Sequence, residues 1–222
     1  MDRYAKLREA TAASMAELER GEKPRLQGTL ANLYFGFNPG EHAHELREQL
    51  VHAIGADLAA SAERGFVALL LHQAPPQLAD LARMNAAGEY HPHWYAILAG
   101  MDLHWAQQQS AGRLPRPVVE AVFALSLLLR TWDGEGHLAP ASRRGWSLHI
   151  YQAHPGIAVS VYETLLTELF QQRKDALDML RRLAESPSAP WRKELAGRLL
   201  DAAERNEDRD AVESLSVLAG GL

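Results

Sequence analysis

Residues 118–129 read Val-Val-Glu-Ala-Val-Phe-Ala-Leu-Ser-Leu-Leu-Leu, and ten of these twelve are apolar. Pro115 and Pro117 lead into the run, and Arg116 and Arg130 bound it. The pattern predicts a helix from Val118 to Trp132 that is apolar around its whole circumference. Such a helix cannot sit on a surface, so it belongs at the centre of a bundle. It is too short to span a bilayer, which needs about 20 apolar residues.

Outward from this centre the pattern is helical in both directions. Tyr4, Leu7, Met15 and Leu18 share one face of a first helix that Gly21 ends, with Thr11 placing only a small hydroxyl on that face. A second helix is expected from Leu26 to Phe35. After the turn signal Phe37-Asn38-Pro39-Gly40, a third runs from Glu41 to about Glu63, with Gly65 as its stop. Phe66 to His72 is apolar on every side and fits a short buried helix better than a strand. Gln77 to Ala87 is a further helix. His91-Pro92-His93 opens another, which runs to about Gln109, because proline is tolerated in a first turn.

Beyond the centre, Asp133-Gly134-Glu135-Gly136-His137 reads as a loop. Residues 145–161 hold good strand residues around His154-Pro155-Gly156, yet two helices are the better reading, because a lone hairpin is marginally stable. From Val161 the stripes Val161/Leu165/Leu169, Leu177/Leu180/Leu183, Leu195/Leu199/Ala203 and Val212/Leu215/Leu218 recur at roughly twenty-residue spacing, as in stacked helical hairpins. The expected fold is therefore all-α: one domain over residues 1–222, a bundle of eight to eleven helices.

Composition narrows the function. Apolar residues make up 47% of the chain and charged residues 23%, as in an ordinary globular domain. There is no cysteine, which removes disulfides, thiolate metal sites and thiol nucleophiles. The first nine residues include Asp2, Arg3, Lys6, Arg8 and Glu9 and lack a signal-peptide core, so a cytoplasmic location is expected. With 28 acidic against 23 basic side chains the net charge is −5, and Lys and Arg form no stripe. Nucleic acid is not the expected ligand, because phosphates need a surplus of basic residues on one face. The charge leaves room for a basic protein partner.

Candidate site residues concentrate between Tyr90 and His154, which hold four of the five tryptophans and six of the ten histidines. Tryptophan is costly to leave in water and histidine titrates near neutral pH, so a binding surface is expected here. The candidates are Trp94, Trp105, Trp132 and Trp146, with the loop residues Asp133, Glu135 and His137. Glycines would let that loop bend close to a partner.

Metal chemistry has weaker footing. Glu41-x-x-His44 has the spacing used in di-iron bundles, but no second copy occurs. His44 and His52 are about 12 Å apart along a helix, and His93 and His104 about 16 Å, too far to share an ion. The calcium-loop pattern is not met at residues 132–137. No nucleophile elbow, phosphate-cradling glycine loop or His-Glu-x-x-His motif occurs, and Ser126, Ser147 and Ser160 read as helix filler. The sequence therefore supports a non-catalytic protein-binding module without cofactor or metal, such as an adaptor, accessory subunit or immunity-type protein. The competing reading is a metal-dependent helical enzyme using the central histidines and carboxylates.

Overall fold

The computed structural model describes residues 2–37, 47–109, 111, 113–132, 138–186, 190–206 and 208–220. Among them are thirteen α-helices and one two-stranded hairpin, so the chain is an all-α, multi-helix protein. None of these helices is long and apolar enough to cross a membrane. Contacts divide the chain into two compact units.

The first unit comprises Met1–Pro75, Tyr90–Leu114 and Leu129–Ala141. Its helices are α1 (Ala5–Ala13), α2 (Met15–Glu19), α3 (Pro24–Tyr34), α4 (Glu48–Ile54), α5 (Ala56–His72) and α7 (His93–Gln108). Strands β1 (Arg130–Trp132) and β2 (Leu138–Pro140) pair antiparallel, Thr131 opposite Ala139 and Trp132 opposite Leu138. The second unit comprises Pro76–Glu89, Pro115–Leu128 and Ser142–Leu222. It holds α6 (Leu78–Ala87), α8 (Arg116–Leu128), α9 (Gly145–Ala153), α10 (Pro155–Gln171), α11 (Leu177–Glu185), α12 (Pro190–Arg205) and α13 (Arg209–Gly220).

The described helices number thirteen against the expected eight to eleven: the expected first helix is broken in two, and the expected third is broken at Gly55, its second half fusing with the expected Phe66–His72 helix into α5. Ser14 leaves helical geometry between α1 and α2, and Met15 is 42% exposed rather than packed. Gly55, at φ +85° and ψ 159°, separates α4 from α5 in a conformation that suits only glycine. Gly65, expected as a stop, lies inside α5 instead. A β-carbon there would stand 2.3 Å from the carbonyl oxygen of Leu18. Glycine at that position admits the end of α2 rather than terminating α5.

The central helix is also shorter than its apolar run implied. It ends at Leu128, and Arg130–Trp132 form β1. Thr131 and Trp132 are good strand formers, and the Ala141 amide donates to the Leu129 carbonyl at 3.1 Å, extending the pairing past the strands. Within α8, Val118, Val119 and every residue from Ala121 to Leu127 are buried, as an all-round apolar helix requires. In the second unit α10 touches α6, α8, α9, α11 and α12, so it shares the central place with α8. Residues 145–161 are helical, broken at His154 with Pro155 in the first turn of α10.

Candidate functional site

The start of α7 gathers the aromatic side chains of the first unit at its surface. The local sequence is Tyr90-His91-Pro92-His93-Trp94-Tyr95. Trp94 turns inward, 2% exposed, and fixes the register of this first turn. Its neighbours are thereby placed toward solvent: Tyr90 is 53% exposed, His91 is exposed, and His93 and Tyr95 are half-buried.

The rings are contiguous. Tyr95 meets Phe37 edge-on with centroids 5.0 Å apart, and lies 5.9 Å from Phe35 and 6.4 Å from Tyr90. Tyr90 and His91 both meet Trp94 edge-on, at 6.5 and 5.6 Å. The imidazoles of His91 and His93 stack at 5.4 Å. Edge-to-face pairs of this kind hold each other beyond their buried area. The exposed rings are therefore positioned before any partner arrives, which lowers the ordering cost of binding.

Electrostatics favour the neutral forms of two of these side chains, His93 and Tyr95. Burial pushes the His93 pKa down, and the neighbouring His91 pushes it the same way. Burial raises that of Tyr95, reinforced by Tyr90, so its phenol stays protonated and able to donate. It donates to the Arg130 carbonyl at 3.2 Å, which ties the first residue of β1 to α7. The strand leading to the expected contact loop is thus anchored at the aromatic patch.

The sequence candidates are distributed as follows. Trp94, Trp105 and the backbone of Trp132 belong to the first unit, and Trp146 to the second. Trp146 is 1% exposed and, like Trp94, is packed in a core, which leaves neither any surface to offer a partner. Asp133, Glu135 and His137 lie outside the described residues, as do Glu41, His44 and Glu45. His52 packs edge-on against Tyr4 at 6.2 Å. His104 is partly buried, its pKa is lowered by that burial, and its Nε2 has no hydrogen-bond partner among the described residues. Among the described residues no three His, Asp or Glu side chains converge as a metal-ligand group.

Sequence reasoning missed Phe37, Tyr90 and Tyr95. The signal was present in the unbroken run 90–95, where every residue but proline carries a ring that meets another. Weighing tryptophans above tyrosines hid it: here the core takes Trp94, 2% exposed, and leaves Tyr90 53% exposed. Ser126 and Ser147 are more than filler, since their hydroxyls pair at 3.3 Å within the second unit's core.

Comparison of the chain with protein-family models, with curated proteins and with solved structures gives no match. The functional reading therefore rests on the geometry alone.

Proposed function

We propose that this chain is a non-catalytic protein-binding module whose contact surface is built on Phe37, Tyr90, His91 and Tyr95. The observation that carries the reading is a set of contiguous, pre-positioned rings with Tyr90 half in solvent at their edge. Tyrosine supplies large rigid contact area at little cost in side-chain freedom, and a few such residues carry most of the energy of an interface. Asp133 and Glu135 follow β1 in the sequence, so a partner with basic groups beside an apolar anchor suits this surface. The chain's net charge of −5 favours encounter with such a partner.

Tyr90→Ala tests the reading, because Tyr90 is exposed and its loss leaves the core of the unit intact. Affinity capture from the native cell with wild-type and Tyr90→Ala protein should show a partner retained by the first. The variant should lose it by tenfold or more in affinity, the scale of an interface hot spot of about 2 kcal/mol. Its melting temperature should stay within a degree or so, as for surface changes of roughly ±0.5 kcal/mol. Equal retention by both proteins refutes the assignment.

A further inference from the structure

Within the second unit, the C-terminal ends of α6 and α8 and the start of α11 line an open cavity of about 390 Å³. That volume falls in the range of small-molecule sites, roughly 300–1,000 Å³. Leu127, Leu128, Leu169 and Met179 make part of its wall apolar, and Lys174 and Arg182 bring two cations to it.

Arg182 is an unusual lining residue, because its side chain is only 8% exposed. A guanidinium has five N–H donors. Nε and Nη2 donate to Oδ2 of Asp178 at 3.1 and 2.7 Å, and Nη1 donates to the Leu127 carbonyl at 2.6 Å. Three donors are engaged, and the remaining two have no acceptor among the described residues. A buried cation with donors to spare costs free energy that an anion in the cavity would recover. Lys174 stands exposed at the same cavity, and its ammonium makes no ion pair among the described residues.

The carboxylates of the same wall restrict the anion. Asp178 is neutralised by Arg182, and Asp175 accepts the Leu177 amide at 2.9 Å. Both still repel a second negative charge, which disfavours phosphate and dicarboxylates. The leucine and methionine side chains suit a short aliphatic tail.

We propose that this cavity binds a small monocarboxylate with a branched or linear aliphatic tail, its carboxylate held between Lys174 and the spare donors of Arg182. A free fatty-type acid and an apolar α-amino acid share this chemistry. The α-amino group of the latter would lie toward the negative, C-terminal ends of α6 and α8.

The test titrates the full chain with isocaproate, leucine and isocaproamide by calorimetry, and repeats each titration with Lys174→Gln. Saturable binding of isocaproate or leucine at millimolar concentration is expected. The uncharged amide should bind about tenfold or more weaker, and Lys174→Gln should weaken the acids by a similar factor, as for loss of one charge-assisted contact. Lys174 is exposed, so the variant should keep its circular dichroism and melting curve. Tighter binding of leucine than of isocaproate identifies the source as an amino acid, and the reverse identifies a simple acid. Absence of saturation with both acids overturns the proposal. So does equal affinity for the amide, or an affinity unchanged in Lys174→Gln.

Discussion

The two units of the chain hold their helices together by opposite means. In the first, helices approach through glycine. A β-carbon on Gly65 of α5 or on Gly100 of α7 would stand 2.3 Å from a backbone oxygen, of Leu18 and Phe66 respectively. On Gly28 of α3 it would stand 2.7 Å from the Pro92 carbonyl carbon. Gln27, fully buried, donates to the carbonyl of Gly65 at 2.7 Å and so locks the α2–α3–α5 crossing. In the second unit, bulk does the holding. Phe123 meets Tyr151 edge-on at 4.9 Å, Trp191 stacks parallel on Tyr151 at 6.4 Å, and the Tyr151 and Tyr162 hydroxyls share a 2.7 Å hydrogen bond. Burial drives the Tyr151 pKa up to about 12 and that of Tyr162 well above its ordinary value, so the pair stays neutral. The lesson is that one chain uses absent side chains as deliberately as present ones. The first unit should resist losing atoms better than gaining them, and the second the reverse.

The sharpest break of that contrast is a deletion in the second unit. Phe123 is 0% exposed and touches both tyrosines, so Phe123→Ala should destabilise by about 3 to 5 kcal/mol in a denaturant titration. A loss below about 1 kcal/mol would mean that the aromatic cluster is not what holds the unit. The smaller, converse experiment adds one carbon to the first unit. Gly100→Ala should cost about 1 to 3 kcal/mol through overpacking, although alanine is the better helix former by about 1 kcal/mol. The neighbouring atom is backbone and cannot swing aside. Neutral or stabilising behaviour would show that α5 and α7 part easily and that the glycine is incidental.

Much of this was legible in the sequence, and the failures share a cause. Period and punctuation located α3, α6, α7 and α10 to α13 within a few residues, because an amphipathic stripe records which face is covered. The same signals placed Gly65 as a stop and carried the central helix on to Trp132. A glycine says only that a side chain is absent. Whether the vacancy serves a turn, as at Gly55, or a crossing helix, as at Gly65, is decided by residues far away in sequence. Likewise an apolar run says that residues are buried, not how: Thr131, in β1 paired with β2, is 3% exposed, as buried as the packed helix before it. The tryptophans among the candidate residues show the same limit. Trp94 and Trp146 were the loudest signals, and each is packed in the core of its own unit, while Tyr90, whose ring meets that of Trp94, is left exposed.

The smallest expected effect separates the units by pH. His93 and His104, both on α7, have pKa values lowered by burial, with His91 adding to the effect at His93. Unfolded histidine titrates near pH 6.5. Between that value and the lowered folded values, the unfolded chain binds more protons than the folded one, so stability rises with pH across this window. The contribution is fully present above about pH 6.5 and is lost as the pH falls through the folded pKa values. Both imidazoles are only partly buried, so solvent screens much of the effect. It should be read locally rather than from a global melt. Hydrogen exchange followed from pH 7.5 to about pH 5, corrected for intrinsic rates, should show α7 and the helices it crosses, α3 and α5, losing protection ahead of α8 and α10. His93→Gln should flatten that trend by removing the more buried of the two groups. Loss of protection appearing first in α8 and α10 would place the acid-sensitive packing in the aromatic unit, and the distinction drawn between glycine-held and ring-held helices would not extend to their response to protons.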